Sequence, residues 1–527
     1  MAIDIINTAD SISTATYSIT SRFRPDLLKL LEKIDKIDDI EEKVDELIED
    51  DIKVDPHQIL WIDSIGTHHT IDDVQPNPEI DVFNSFKEEA VEVYLGYKIR
   101  VLPEKAFALF NSNNEIRNNT KLKKISGKGV IEIGYQCFYG CTLLNNISLP
   151  ILKTIHDSAF MQSGIEEAYF PYVTRLESYA FAYCENLKNV DLSSLETLIT
   201  LEYIFTGCIN LYNIKLPNLR LASVRGLFNE CNKLLTIELP KLTDVNQYLF
   251  YGCKANTINL QSVTSISAYA FNNNLTLEYI YAPNVTSVGE SAFMNCSNLK
   301  KIEMYKLTAI LDNTFLNCNL LSDVNLPNAE IIHRYAFHAC TSLKSILLPR
   351  VTEIKPYAFK DCTALECIYA PSLQYLSEET VDSSLQNCAF CNTSLRTIYF
   401  PYLKTIGGLA FQDCKQLEIV NIPNAIRLGD NCFDGCTTLS EICFTVRELV
   451  IIPECTADTF VGTNTDQYVI IVPDNLYNDW SQSWKTLNPN LNIIPSSNSR
   501  SIRKNEIEDI IRVYIETHIL AGNRTIE

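Results

Sequence analysis

Four sulfurs form the arrangement in this chain that most resembles a chemical site. Cys388 and Cys391 make a C-x-x-C, and Cys362 and Cys367 lie one repeat earlier. Four thiolates in neighbouring coils could hold a tetrahedral zinc ion. Zinc is not expected, because Cys362 belongs to a regular ladder of cysteines and Cys388-Ala389-Phe390 copies a recurring anchor motif. The pair His68-His69 also invites a metal. Adjacent residues of a strand face opposite ways, however, and no further ligand set is nearby. Of the seven histidines, His156, His333 and His338 occupy variable positions of a repeat and are expected at the surface. The chain has no Walker-type glycine loop, no H-E-x-x-H and no G-x-S-x-G. It is therefore expected to be no enzyme, with no catalytic residue, no metal and no cofactor.

The elements that would position any site come from one repeated string. LNNISLPILKTIHDSAF, Leu144 to Phe160, returns as LKSILLPRVTEIKPYAF, Leu343 to Phe359, and as LEIVNIPNAIRLGDNCF, Leu417 to Phe433. Its phenylalanines recur from Phe107 to Phe433, mostly 21 to 24 residues apart, with Phe460 as a degenerate last copy. Fixed-period self-similarity is the signature of a stacked repeat array. Each unit carries one short strand ended by proline. In Asn146-Ile147-Ser148-Leu149-Pro150, Ile147 and Leu149 point inward while Asn146 and Ser148 point outward. Proline lacks an N–H and ends the pairing on that edge. Cys141, Cys184, Cys208, Cys231, Cys253, Cys296, Cys318, Cys340, Cys362, Cys414 and Cys436 each follow a phenylalanine by three residues. That regularity predicts buried thiols that act as small apolar groups, not a disulfide framework. Two steps are 31 residues long; their excess falls at 111–119 and 377–386, where loops are expected on one face.

Outside the array the chain changes character. Residues 1–24 read as a polar arm. Over residues 25–53, Leu27, Leu30, Ile34, Ile37, Val44 and Ile48 recur at three- and four-residue steps, which predicts a short coiled coil and a homo-dimer or trimer. Residues 54–98 read as a linker and N-terminal cap, 99–475 as the array, 476–495 as a C-terminal cap carrying Trp480 and Trp484, and 496–527 as a joint followed by an amphipathic helix, Ile502 to Ile519. The net charge of −21 leaves no basic face for nucleic acid. No run of about eighteen apolar residues predicts a membrane span.

The unit I-x-L-P…I-x-x-x-A-F-x-x-C-x-x-L, over roughly residues 99–475, resembles the BspA-like (Treponema pallidum type) leucine-rich repeat family. Val469 to Trp484 is similar to that family's usual ending. The resemblance implies a leucine-rich repeat solenoid, surface-exposed, that binds host or matrix proteins or other cells. No signal peptide, membrane anchor or wall-sorting signal is evident. The same repeats occur in phage structural proteins, so the expected location is a cell surface or, as the alternative, a virion fibre or decoration protein whose array is a spacer or attachment body.

Within the unit, the outward residue between the inward I and L positions is free of packing duty. Down the array it includes Tyr169, Tyr281, Leu347, Tyr369 and Tyr399, and the other outward position adds Tyr279. Tyrosine gives large contact area at low entropic cost. These six residues are the candidate binding positions for a protein or glycan ligand on a host or matrix surface. Leu347, Tyr369 and Tyr399 are expected to form one exposed apolar-aromatic stripe.

Overall fold

The computed structural model describes residues 52–113, 115–377, 388–444, 452–456, 458–460, 463 and 468–498. The predicted arm (1–24), almost all of the predicted coiled coil (25–53) and the C-terminal amphipathic segment (502–519) lie outside the described residues. So does most of the excess in the second long step, 377–386. The described residues form a parallel β-solenoid of about 16 turns, about 22 residues apart. The chain divides into two compact units, 1–241 and 242–527.

In the first unit a hairpin precedes the coils. Strand β1 (Ile59–Ile62) pairs antiparallel with β2 (His68–Ile71) and with β3 (Glu92–Leu95). Strand β3 then pairs in parallel with Lys124–Gly127, and that strand with Asn146–Ser148. The apolar knot Leu60-Trp61-Ile62 thus sits at the start of the parallel stack. Trp61 stacks on His69 at 4.0 Å and lies 5.6 Å from Phe86. Helix α1 (Ile80–Asn84) supplies Phe83, which meets Phe107 edge-on at 5.4 Å. From Phe107 the anchors stack face to face through Phe138, Phe160, Phe181, Phe205 and Phe228, with centroids 5.1 to 6.1 Å apart.

The second unit repeats the pattern from Phe250 to Phe433, at 4.9 to 5.7 Å. All of these rings are fully buried. Full burial of a phenylalanine contributes about 1.5–3 kcal/mol, and each ring also gains from its stacked neighbours. The anchors bond coil to coil through the backbone as well. Phe271 N–H donates to Ala292 O at 2.8 Å and Phe315 N–H to Ala336 O at 2.8 Å. At the far end helix α2 (Tyr477–Leu487) lays Trp480 and Trp484 against Phe444 and brings Trp484 to Phe460.

Three features differ from the sequence reading or refine it. First, the ladder cysteines do more than fill space. Cys184, Cys208, Cys318, Cys340, Cys362 and Cys414 each direct the thiol at the carbonyl oxygen of the anchor phenylalanine one coil back, at 2.9 to 3.3 Å. Phe315 O, for example, also accepts the backbone N–H of Cys318 at 3.1 Å, so the Cys340 thiol is a second donor to a buried carbonyl. Burial pushes the Cys184 thiol up to about 12, so it remains a protonated donor at neutral pH.

Second, the chain turns left-handed on both sides of the anchor, a conformation not read from the sequence. Around Phe337 the residues are Tyr335 (φ 55°) and Ala339 (φ 58°). Asparagine tolerates this region better than most residues. Asn273, Asn295 and Asn317 use it in three successive coils, and their amides form a ladder. Asn295 Nδ2 donates to Asn273 Oδ1 at 2.9 Å, and Asn317 Nδ2 to Asn295 Oδ1 at 2.8 Å.

Third, the first long step is not a plain polar loop. Leu109–Phe110 and Ile116–Arg117 pair antiparallel, and Asn119 is buried. Asn119 Nδ2 donates to Phe107 O at 3.1 Å, the same carbonyl that the Cys141 thiol approaches at 3.6 Å.

Candidate binding face

In the second unit the strands Tyr279–Tyr281, Lys301–Glu303 and Asp323–Asn325 run in parallel register. Tyr279, Lys301 and Asp323 are successive register partners, as are Tyr281, Glu303 and Asn325. The inward Ile280 and Ile302 are fully buried, so alternation sends the flanking side chains to the opposite face. There Tyr279 Oη donates to Glu303 Oε2 at 2.5 Å. Lys301 Nζ lies 3.0 Å from Glu303 Oε1, 3.4 Å from Asp323 Oδ2 and 5.9 Å from the Tyr279 ring centre. The Tyr281 ring lies 6.4 Å from that of Tyr279.

Burial raises the Tyr279 hydroxyl above its ordinary value, and the bond to Glu303 and its charge raise it further. Burial alone would lower Lys301, but the two carboxylates outweigh it and raise it. Tyr279 is thus a neutral donor and Lys301 a charged one. Burial, followed by the Glu303 charge, also raises the Tyr305 hydroxyl. The result is a row of half-exposed rings held by charged neighbours. It offers flat aromatic surface, phenolic donors and fixed charge.

The remaining predicted positions divide. Leu347 and Tyr369 are direct register partners and both are half-exposed. Tyr399 does not complete their stripe. It is only 8% exposed, and its strand Thr397–Tyr399 opens a separate five-stranded sheet. The break falls where the second long step inserts its extra residues. Tyr169 belongs to the first unit, half-buried, with Asp191 as its register partner. Reading the outward column that holds Tyr281 left out Lys301 and Asp323, which occupy the parallel column two residues earlier. Glu303 lies in the Tyr281 column itself, and its role shows only once the bond from Tyr279 is seen. Reading the two columns together across 22-residue steps would have found all three.

The other sequence candidates are also placed. Cys388 and Cys391, read as thiols of the anchor motif, are paired as a disulfide with Cα atoms 5.4 Å apart. His69 stacks on Trp61 and lies 3.1 Å from Asp63 Oδ2. The repeat histidines are partly buried rather than plain surface residues. His338 Nδ1 donates to Lys360 O at 2.9 Å. His156 bridges three coils, with Nε2 2.8 Å from Glu132 Oε1 and Nδ1 3.0 Å from Glu177 Oε2. Carboxylates only accept, so this bridge is complete when both ring nitrogens carry a proton.

Burial of Glu177 acts to raise its carboxyl. The His156 hydrogen bond and charge, joined by Arg175, outweigh burial and hold it below the ordinary value of 4.5. A lowered acid stabilises the fold above its unfolded value and loses that contribution as pH falls through the folded one. Thermal melts from pH 6 down to pH 3 should therefore show a smaller acid-induced fall in Tm for Glu177→Gln than for the wild type. Equal slopes would show that the bridge carries no stability.

The BspA type leucine rich repeat region family matches residues 111–224, 199–320, 264–384 and 378–474, which together span more than half of the chain. The chain belongs to that family. Repeat proteins of this type are in general protein-binding or surface-adhesion molecules and are generally non-enzymatic. Among solved structures, a leucine-rich repeat protein from Bacteroides ovatus is 29% identical, with 67% of this chain and 78% of that chain covered and a TM-score of 0.46. A leucine rich cell surface protein from Faecalibacterium prausnitzii is 24% identical, covering 55% of this chain and 82% of that one, with a TM-score of 0.33. The leucine rich repeat protein of T. pallidum is 20% identical over 36% of this chain and 82% of that chain, with a TM-score of 0.27. No curated protein matches the sequence. No helix among the described residues is long and apolar enough to cross a membrane.

Proposed function

We propose that this chain is a non-enzymatic recognition protein. Its second unit binds a protein or glycan on a host or matrix surface through the strand face that carries Tyr279, Tyr281, Leu347 and Tyr369. The supporting observation is the row itself. Four half-exposed apolar or aromatic side chains lie on one unit's strand faces, and Tyr279 is fixed by Glu303 and Lys301 before any partner arrives. Rings fixed in advance lose little entropy on binding. A hot-spot tyrosine contributes about 2 kcal/mol or more, roughly thirtyfold in affinity.

The test uses purified full-length chain on a glycan array and on immobilised matrix proteins. Tyr279→Ala with Tyr369→Ala should lower binding by at least about thirtyfold at unchanged Tm. Unchanged binding makes this face a spacer and sinks the reading.

The display half of the proposal rests on residues 25–53. Association of several copies through Leu27, Leu30, Ile34, Ile37, Val44 and Ile48 turns weak single-site contacts into avidity. Light scattering should give a dimer or trimer mass that falls to one chain in Leu30→Asp/Ile37→Asp. A wild-type monomer removes this half and leaves the binding face standing.

A further inference from the structure

A second set of tyrosines lies outside the strands. They stand two residues before an anchor phenylalanine, where the chain is left-handed. In the second unit Tyr248 (φ 61°) and Tyr269 (φ 58°) hold this place in adjacent coils, and Tyr335 (φ 55°) and Tyr357 (φ 62°) hold it in another adjacent pair. A bulky residue in this region is an outlier. Asn313 and Asn431 occupy the same place in other coils, at φ 57° and 54°, as a short polar residue does more readily. Such strain persists only where the surrounding structure fixes the backbone. Here it does. Tyr335 N–H donates to Pro356 O at 3.4 Å, Phe337 N–H to Ala358 O at 2.8 Å and Tyr357 N–H to Cys388 O at 3.1 Å.

The result is a pair of phenols held face to face. The Tyr335 and Tyr357 ring centroids are 4.7 Å apart and their planes differ by 5°. Both side chains are half-exposed. His338 meets Tyr335 edge-on at 5.7 Å, and Lys360 Nζ lies 5.6 Å from the Tyr357 ring centre, which restrains the rings further. The Tyr248–Tyr269 pair is looser, at 5.3 Å and 13°. In the first unit Tyr179 and Tyr203 are looser again, at 5.8 Å and 35°. Stacking by itself stabilises such pairs. Two properties separate them from the buried phenylalanine stack: a phenol is readily oxidised, and these are open to solvent.

We propose that Tyr335 and Tyr357 form an oxidative modification site, where the two rings are joined as dityrosine and one coil is stapled to the next. The oxidant required is hydrogen peroxide acting through a haem peroxidase. Each phenol gives up one hydrogen atom, as an electron and a proton. The two radicals join through a new bond between ring carbons adjacent to the hydroxyl-bearing ones. The hydrogen on each of those carbons then moves to the phenolic oxygen, which restores both hydroxyls. Two hydrogen atoms leave in all, and they reduce one peroxide to two waters. Rings already held in contact couple within one chain, which is far faster than an encounter between two chains in solution. The ladder thiols of the same coils, Cys340 and Cys362, are fully buried, whereas peroxide attacks exposed thiolates, so they do not compete.

The test treats purified full-length chain with hydrogen peroxide and a haem peroxidase, digests it with trypsin and reads the peptides by mass spectrometry. The expected product joins peptide 335–344 to peptide 351–360, at a yield per chain that does not change on dilution. The Tyr248–Tyr269 product should form more slowly and the Tyr179–Tyr203 product more slowly still. Tyr335→Phe keeps the stacked ring and lacks the hydroxyl, so it should lower the 335–357 product at least about tenfold at unchanged Tm. Tyr402, 63% exposed, reports what exposure alone achieves. The proposal fails if Tyr402 is cross-linked first, if the rates ignore ring separation, if the 335–357 yield falls in proportion to dilution, or if Tyr335→Phe gives that product undiminished.

Discussion

Phe337→Ala should remove about 3–5 kcal/mol of stability, measured as a fall in the urea midpoint of the full chain. Phe337 is fully buried, 5.2 Å from Phe315 on one side and 5.2 Å from Phe359 on the other. Alanine deletes the ring and leaves a cavity walled by two rigid neighbours. Each is held by its own coil's backbone bonds, so neither can collapse into the space. A solenoid coil contacts only its neighbours, so the loss falls on two interfaces and cannot be shared across the molecule. Hydrogen exchange should show coils 315 and 359 losing protection first. Phe337→Leu keeps most of the volume and should cost about 1.5 kcal/mol or less. Against a domain stability of about 5–15 kcal/mol, the alanine change alone can populate partly open states. A midpoint shift smaller than that of Phe337→Leu would show that the stack does not carry the core.

Trp484→Ala should cost a similar amount, about 3–5 kcal/mol, and should loosen the last strands first. Trp484 is 1% exposed and lies 5.5 Å from Phe444, 5.9 Å from Phe460 and 5.2 Å from Trp480. Its indole N–H also donates to Pro453 O at 3.2 Å. Trp480 is equally buried, yet its N–H has no hydrogen-bond partner among the described residues. The pair therefore separates packing from polarity. Trp484→Phe abandons a buried carbonyl and should be the more damaging phenylalanine substitution, by about 1–3 kcal/mol. Trp480→Phe removes an unpaired donor and loses only volume. The reverse order would show that the Pro453 contact contributes nothing, and chemical denaturation followed by tryptophan emission reads both.

The two tryptophans also show how far the sequence reaches. Their four-residue spacing predicts one helical face, and helix α2 presents it. Which indole nitrogen meets an acceptor depends on Pro453, 31 residues away. The cysteine ladder divides in the same way. A constant offset from phenylalanine predicts one buried wall, because a fixed period carries equivalent positions to equivalent places. The thiol-to-carbonyl bond from Cys340 to Phe315 joins two coils and appears only when they stack.

The proposed binding face was half legible. Tyr279, Tyr281, Leu347 and Tyr369 follow from period-two alternation, which decides the face on which a side chain emerges. Tyr399 obeys the same alternation and is nevertheless buried. Emergence on a face is local, but exposure depends on whatever lies over that face. The role of Lys301 was hidden for a related reason: its partners, Tyr279, Glu303 and Asp323, come from three strands.

By itself the sequence determined the repeat, the inward residues and the family, because short-range alternation and a period near 22 residues are properties of the string. Tertiary structure alone decided which thiol meets which carbonyl, which tyrosine is held by charge and which outward column is closed. Each of those depends on groups one or more coils apart, brought within about 3 to 6 Å by the stacking of strands some 4.8 Å apart.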